Sequence, residues 1–282
     1  MEKISAIIIT FNEERNILRC LQSLDGIADE IIVVDSFSTD STPDICRQQG
    51  KVRFLEHAFE GYVEQKNWAL DKAAYPFALS LDADEALSEE LRKTILGIKR
   101  RRIADGYFFT RTTFLGNRPV KHGSWYPDYK LRLFDKRKGR FGGTNPHDSV
   151  MIGAGAKVQY IKDTILHYSF ESFDDFYRQS ERFATLAAQS MFEKGKTISR
   201  ALLLLKTGWA FMHSYIVKAG MLDGKAGFTI SRVIAASTYR KYSRLRELHA
   251  GRSQSPRQPN GKACFFKYTT SRSSRCNSSS PE

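Results

Sequence analysis

Cysteine is scarce in this chain, and what there is makes no pattern. Cys20, Cys46, Cys264 and Cys276 form no C-x-x-C pair and nothing near the density of a disulfide framework. That argues against a cysteine zinc site and favours a reducing compartment. Glycine is missing where a dinucleotide-binding domain needs it: the first apolar run ends in "TFNEERN" rather than G-x-G-x-x-G. No G-x-x-x-x-G-K-[S/T] occurs either, which weighs against a dehydrogenase and a phosphate-loop enzyme. The opening "MEKISAIIIT" is too short an apolar run for a secretory leader, so no export signal is read. Acidic residues are the other shortage, and it is local. Residues 1–193 hold 27 Lys/Arg and 28 Asp/Glu, whereas residues 194–282 hold 17 and 3. The net charge of +13 therefore belongs to the C-terminal third, which calls for an anionic surface partner, lipid or nucleic acid.

What is present alternates. The 282 residues suffice for one large domain, or a domain with an appendage. "ISAIIIT" and "EIIVVD" are apolar runs of the kind that form strands buried on both faces, and "KVRFLE" and "FALSLD" predict a third and a fourth strand. Between them lie helical patterns over 13–24, 41–50 and 61–74, the second opening on Ser/Thr caps and Pro and ending in Gly. This is βαβαβαβ, which predicts a parallel sheet with right-handed crossovers. A helix over 87–102 follows, with "KRRR" as its solvated basic end. "GYFFTRTTF" and "KLRLFDK" then predict strands, and 172–195 a helix.

Residues 201–221, "ALLLLKTGWAFMHSYIVKAGM", raise the membrane question. Lys206, His213 and Lys218 would put charge at mid-bilayer in a spanning helix. Lys206, Thr207, Ala210, His213 and Ser214 share one helical face, which suits a helix lying in the interface better; a packed helix is the other alternative. From His249 onward the chain is Ser-rich, polar and aperiodic, and disorder is expected.

In an open parallel sheet, ligands bind beyond the carboxyl ends of the strands. Here those ends carry Thr10-Phe11-Asn12-Glu13, Asp35-Ser36, Glu56-His57 and Asp82-Ala83-Asp84. Such a rim suits a nucleotide held by base and ribose, its diphosphate neutralised by metal. In an extended segment Asp82 and Asp84 project to the same side, which makes a hard-oxygen site for Mg²⁺ or Mn²⁺.

"IIITFNEERNI", "IIVVDSFSTDST", "QKNWAL" and "LSLDADE", in that order, resemble the motifs of the family 2 glycosyltransferases. "WYPDYKLRLFDKRKGRF", "NPHDSV" and "YIVKAGMLDGKAGF" are similar to the subgroup that adds sugars to the lipopolysaccharide core, and the resemblance covers roughly residues 3–247. It implies an α/β GT-A nucleotide-diphospho-sugar transferase fold: a mostly parallel central sheet flanked by helices, with a C-terminal helical extension. The implied division is a catalytic domain over 1–195, a basic membrane-association region over 196–248 and a disordered tail over 249–282.

By the same resemblance, Thr10, Asn12, Glu13 and Asp35 line the nucleotide pocket, Asp35 near the uracil or ribose. Lys66 and Asn67 face the sugar diphosphate, and Asp82 touches ribose or donor sugar. Asp84 is the direct ligand of Mg²⁺ or Mn²⁺, and His167 supplies a further one; a histidine ending a strand is otherwise simply packed. Transfer needs an acceptor hydroxyl deprotonated as it attacks the anomeric carbon, from the face opposite the departing diphosphate. His147 and Asp148 in "NPHDSV" offer the base. Related sequences show His-Glu there, so Asp148 has the shorter arm, and Asp128 is second in line. Arg132 meets the diphosphate or an anionic acceptor, or is a surface strand arginine. Trp125 and Tyr126 stack on a sugar or pack.

The reading is an inverting, metal-dependent hexosyltransferase that moves a sugar from a nucleotide-diphosphate donor to a lipid-linked saccharide, in the lipopolysaccharide inner core. It would work on an anionic membrane surface at the cytoplasmic face, with no nucleic acid expected. Two rivals stand beside it: a nucleic-acid-binding protein using the basic third, and a non-catalytic relative that only binds nucleotide. The lack of RNP-like aromatics or a zinc pattern weighs against the first.

Overall fold

Continuous apolar runs commit a chain to strands covered on both faces, and the computed structural model sets such runs side by side in parallel, with the partly exposed "VRFLE" as the edge strand beside them. The structure describes residues 1–144 and 147–254. Strands β1 (Ile4–Thr10), β2 (Glu30–Asp35), β3 (Val52–Glu56) and β4 (Phe77–Asp82) are all parallel, in the order β3-β2-β1-β4. Helices α1 (Ile17–Ser23), α2 (Thr42–Arg47) and α3 (Tyr62–Lys72) make the crossovers. Ile4, Ala6 and Ile8 pack on the side of Leu21, Leu24, Leu91 and Ile95, while Ile7 meets Ala69, Leu70 and Phe134 on the other. Registers Thr10↔Asp35, Asp35↔Glu56 and Ile9↔Asp82 bring the four strand ends level, so their polar residues share one rim.

After β4 the chain makes a tight turn into β5 (Glu85–Leu87) and α4 (Glu89–Arg100), whose Ser88 cap accepts from the Leu91 N–H at 3.2 Å. Strands β6 (Gly106–Leu115), β7 (Arg118–Pro119), β8 (Asp128–Asp135), β9 (Gly139–Thr144), β10 (His147–Ile152) and β11 (Val158–Phe170) follow. The sheet continues β4-β8-β6-β11-β5, with β8 antiparallel to both neighbours and β6 parallel to β11. The parallel half is as expected; the second half is mixed. No crossover helix separates β6 from β8, so the connection returns the chain antiparallel. Strands β9 and β10 form a separate two-stranded ribbon.

The C-terminal part is helical: α5 (Phe173–Glu193), α6 (Arg200–Met212), a π-turn at His213–Val217, a 3₁₀ turn at Gly220–Asp223, and α7 (Gly224–Gln254). Helix α7 lies along both α5 and α6. Phe176, Ile230 and Val233 bury against Leu115 and Val120, with Trp125 and Phe170 beside them, so the helices are docked on the sheet. Trp125 is therefore packed, its ring 4.8 Å from Phe176 and 5.5 Å from Phe170. Helix α7 runs to Gln254, past the point where disorder was expected at 249, and the rest of that tail lies outside the described residues. Among the described residues no helix is long and apolar enough to cross a membrane.

Candidate active site

The loops after β1 and β2 are laced together before any ligand arrives. Asn12 adopts φ +54°, a left-handed conformation that asparagine tolerates, and its Oδ1 accepts from the Thr39 N–H at 2.8 Å. Its own N–H donates to Ser38 Oγ at 2.8 Å. The fully buried Asp35 accepts from the Ser38 N–H at 2.7 Å and its hydroxyl at 2.5 Å. Asp35 and Asn12 thus shape the pocket wall through Ser38 and Thr39. Thr10 is buried, and its Oγ1 has no partner among the described residues. Glu13 stands in a negative field: burial raises its carboxyl pKa, a hydrogen bond from Asn16 opposes this, and Asp84 raises it further. Phe11 and Phe37, exposed at this rim, drew no attention in the sequence, where an aromatic after a strand end has no special pattern.

"LDADE" is not extended throughout, which corrects the expectation that Asp82 and Asp84 project together. A turn at Ala83–Asp84 breaks the two-residue period, and the two carboxylates take different partners. Asp82 Oδ1 pairs with Lys66 Nζ at 2.8 Å and Oδ2 with Arg132 Nη2 at 2.7 Å. Asp84 Oδ2 lies 3.2 Å from His167 Nε2. Glu85, wholly buried, accepts from Arg132 Nη2 at 2.6 Å, from Arg111 Nη1 at 3.2 Å and from the Asp82 N–H at 3.0 Å. Arg111 also holds Asp128 at 2.7 Å, and Lys130 reaches Asp128 at 3.2 Å. Lys66 completes the chain by pairing with Asp148 Oδ2 at 2.9 Å.

The protein's own cations therefore answer the crowded carboxylates. Burial alone would raise the Asp82 pKa, but Arg132 and Lys66 more than offset it and hold the group well below the usual carboxylate range. Burial likewise works against charge on Lys66 and Arg132, yet their acidic neighbours raise both. Asp128 repeats the pattern, burial opposed by Arg111 and Lys130 with a net lowering.

Local structure explains who arrives. Strand β8 pairs with β6 as Tyr107↔Leu133 and then Phe108↔Leu131, so Arg132 is the extra residue of a β-bulge. Bulges re-aim side chains, and this one drives Arg132 inward; it is no surface arginine. Its Nε is buried without a partner among the described residues. Neighbours on α3 diverge: Lys66 enters the cluster, whereas Asn67 is spent on β9, giving to Phe141 O at 2.9 Å and accepting from Phe141 N–H at 3.1 Å. That clip carries the β9–β10 ribbon, and so Asp148, over the rim. The His147 side chain lies outside the described residues. Sequence reasoning missed Glu85 and Arg111. Glu85 had a signal, as the third carboxylate of "DADE"; Arg111, inside "TRTTF", had none.

Asp84 and His167 face each other from the β4–β5 turn and from β11, where Tyr168 N–H also bonds Asp84 O at 2.9 Å. His167 precedes the end of β11 by three residues and contacts Ser169 Oγ. Among the described residues no group of three or more His, Cys, Asp or Glu gathers for a metal. An oxygen and an imidazole donor on one side still fit Mn²⁺ or Mg²⁺, ions that take their remaining ligands from water and phosphate. A cavity of about 430 Å³ opens beside them, lined by Asn12, Glu13, Asp40, Tyr168 and Glu171 among others. Its acidic lining means an anion entering there needs a cation at its side.

The family model described as "Glycosyl transferase family 2" matches residues 5–164. An uncharacterized glycosyltransferase of Rickettsia felis is 31% identical over 257 residues, which span 88% of this chain and 90% of the relative. A lipopolysaccharide core biosynthesis glycosyltransferase of Rhizobium meliloti, LpsC, is 26% identical over 88% of this chain and 93% of its own. Among solved structures, residues 1–349 of S. aureus TarS align at 16% identity with a TM-score of 0.44, covering 88% of this chain and 92% of that one.

Proposed function

The chain belongs to glycosyl transferase family 2 and has the GT-A fold, and from that premise we propose an inverting, metal-dependent enzyme that moves a sugar from a nucleotide-diphosphate donor to a lipid-linked saccharide. LpsC, as a similar chain, supports a lipopolysaccharide core acceptor at the cytoplasmic membrane face, reached through the region after residue 195. The observation that carries the reading is the Lys66 ammonium, 2.8 Å from Asp82 and 2.9 Å from Asp148. One cation joins the donor side of the site to the candidate base.

In this mechanism Thr10, Glu13 and the Asp35-supported loop form the wall that receives the nucleoside. A divalent ion held by Asp84 and His167 would supply positive charge to the diphosphate. Lys66 and Arg132 lie on the carboxylate side of the same rim, where Lys66 can turn from Asp148 to a phosphate oxygen. Asp148 then takes the proton of the acceptor hydroxyl. As the new O–C bond forms at the anomeric carbon, the C–O bond to the diphosphate breaks on the opposite face, which inverts the centre. Asn67, committed to the Phe141 backbone, is left out of the binding set.

The test combines a thermal-shift screen with a transfer assay. A thermal-shift screen of nucleotide sugars with and without Mn²⁺ should give a shift with one donor plus metal, lost in Asp84→Ala. Asp148→Asn should bind the same donor normally and transfer about 10²- to 10⁴-fold more slowly. Full turnover by Asp148→Asn would move the base to Asp128, and a donor shift indifferent to metal would remove the cation.

A further inference from the structure

Helix α6 is apolar on nearly every side, yet only one side is covered. The side that faces α7 carries Phe211, Ser214 and Tyr215: Ser214 is fully buried and accepts from Ser231 Oγ at 3.0 Å, and the Phe211 and Tyr215 rings both meet Phe228, 5.9 and 5.7 Å between centroids. Lys206 at its border reaches the Tyr242 ring of α7, 5.8 Å from the centroid. The opposite stripe is therefore turned outward. Leu202, Leu205, Trp209, Met212 and Ile216 recur at helical spacing, with Leu205 69% and Trp209 61% exposed. Met221 and Leu222 extend the patch onto the 3₁₀ turn. Among the described residues nothing lies over it.

From Lys194 to Leu222 the chain holds five Lys/Arg and no Asp or Glu, and Arg200 and Lys218 stand exposed at the borders of the ridge. A second copy packed on this face would set those cations against one another with no carboxylate between them, because a two-fold interface pairs a patch with itself. An anionic lipid surface satisfies both features at once. It accepts the apolar stripe among its acyl chains and the cations among its headgroups. Spanning is ruled out by length: the 13 residues of α6 rise about 20 Å, short of the roughly 30 Å hydrocarbon core. Beyond Met212 the chain breaks into a π-turn and a left-handed Ala219, φ +55°.

We propose that this ridge is a monotopic wedge that inserts, without spanning, into an anionic leaflet. The inference deepens the reading of a membrane-bound acceptor and rests on it in one respect, the presentation of the site. The wedge is braced to the loop before β8: Asp223 Oδ2 accepts from the His122 N–H at 2.8 Å and the Lys121 N–H at 3.1 Å, and Gly123 N–H donates to Lys218 O at 2.8 Å. That loop leads directly into Asp128, which pairs with Arg111 and Lys130 at the edge of the charged cluster. Insertion therefore sets the acceptor side of the site at headgroup level.

The experiment uses the full chain and vesicles of phosphatidylcholine with or without phosphatidylglycerol. Sedimentation should show binding to the anionic vesicles that weakens as salt is raised, and at least ten-fold weaker binding to phosphatidylcholine alone. Tryptophan emission should be quenched by lipids brominated on the acyl chain. That quenching should vanish in Trp209→Phe, which keeps Trp68 and Trp125 as internal controls. Leu205→Glu with Trp209→Glu should lose at least ten-fold in vesicle affinity while keeping its circular dichroism and donor-induced thermal shift. Unchanged binding by the double variant would overturn the proposal. So would a Trp209 shielded from aqueous quencher without lipid, whether in a dimer by ultracentrifugation or in a monomer covered by residues 255–282. A protein that turns over donor yet ignores vesicles sinks the wedge alone. One that docks but never binds a nucleotide sugar sinks the function alone.

Discussion

Arg132 carries two carboxylates on one nitrogen, Asp82 at 2.7 Å and Glu85 at 2.6 Å; Arg132 and Glu85 have almost no access to water, while Asp82 keeps one side toward the rim. An ion pair in such a place does little net work for stability while intact, but losing one partner leaves a buried charge unanswered. Arg132→Met is therefore expected to lower unfolding stability by about 3–5 kcal/mol, read from urea denaturation. Arg132→Lys should recover only part of that loss, because the lysine stem is shorter and its ammonium falls short of the point between the two carboxylates that Nη2 occupies. A loss below about 1 kcal/mol would mean that water reaches Glu85. The sequence pointed to Arg132 as a candidate for the diphosphate or as a surface arginine, but not to its depth, because a β-bulge leaves no trace in the residue pattern.

At the scale of elements, the joint between the 3₁₀ turn and α7 depends on two missing side chains. A Cβ on Gly227 would run into the Gly220 carbonyl, and one on Gly220 would stand 2.6 Å from Ser214 O. Gly227→Ala should therefore lower the melting temperature, at an overpacking cost of about 1–3 kcal/mol. Gly251→Ala, where a Cβ meets nothing within 4 Å, should be neutral or mildly stabilising. Equal effects at the two positions would show that the turn yields, and that the brace to the His122 loop is loose. Helices α5 and α6 were legible from their patterns, whereas α7 was not picked out as a separate helix. The break after Met212 was not legible, since "MHSYIVKAGM" continues the same apolar pattern without a Pro.

Over the whole molecule, charge is divided as the composition says, balanced through residue 193 and basic beyond it. The balanced part holds carboxylates tuned by their partners. Burial is outweighed by cations at Asp82 and Asp128, while Arg140 lowers Asp71 and Arg137 lowers Asp135. In each, the folded pKa lies below the unfolded value near 3.9, so the folded chain binds fewer protons in that range. Their stabilisation is then complete above about pH 5 and lost as pH falls through and below about 4. Glu13, raised by burial, has the opposite sign: its contribution is present at low pH and lost as pH rises. Because depressed aspartates outnumber it, urea midpoints should be flat near neutrality and drop steeply below about pH 4. Midpoints that rose on acidification would overturn the ion-pair account.

The sequence by itself determined the four parallel strands of the rim-forming half and the family, because continuous apolar runs and short motifs are local; their order in the sheet came from the tertiary structure. It also placed the basic surplus and singled out Lys66, Asp82, Asp84, Asp148 and His167. Only the tertiary structure decided what those groups touch. Lys66 and Asp148 are 82 residues apart, and Arg132 and Asp82 are 50 apart; no period of two or 3.6 reaches that far. The same holds for α6. Its composition announced an apolar helix, but which stripe packs on α7 and which stays open was settled by the fit of Ser214 to Ser231.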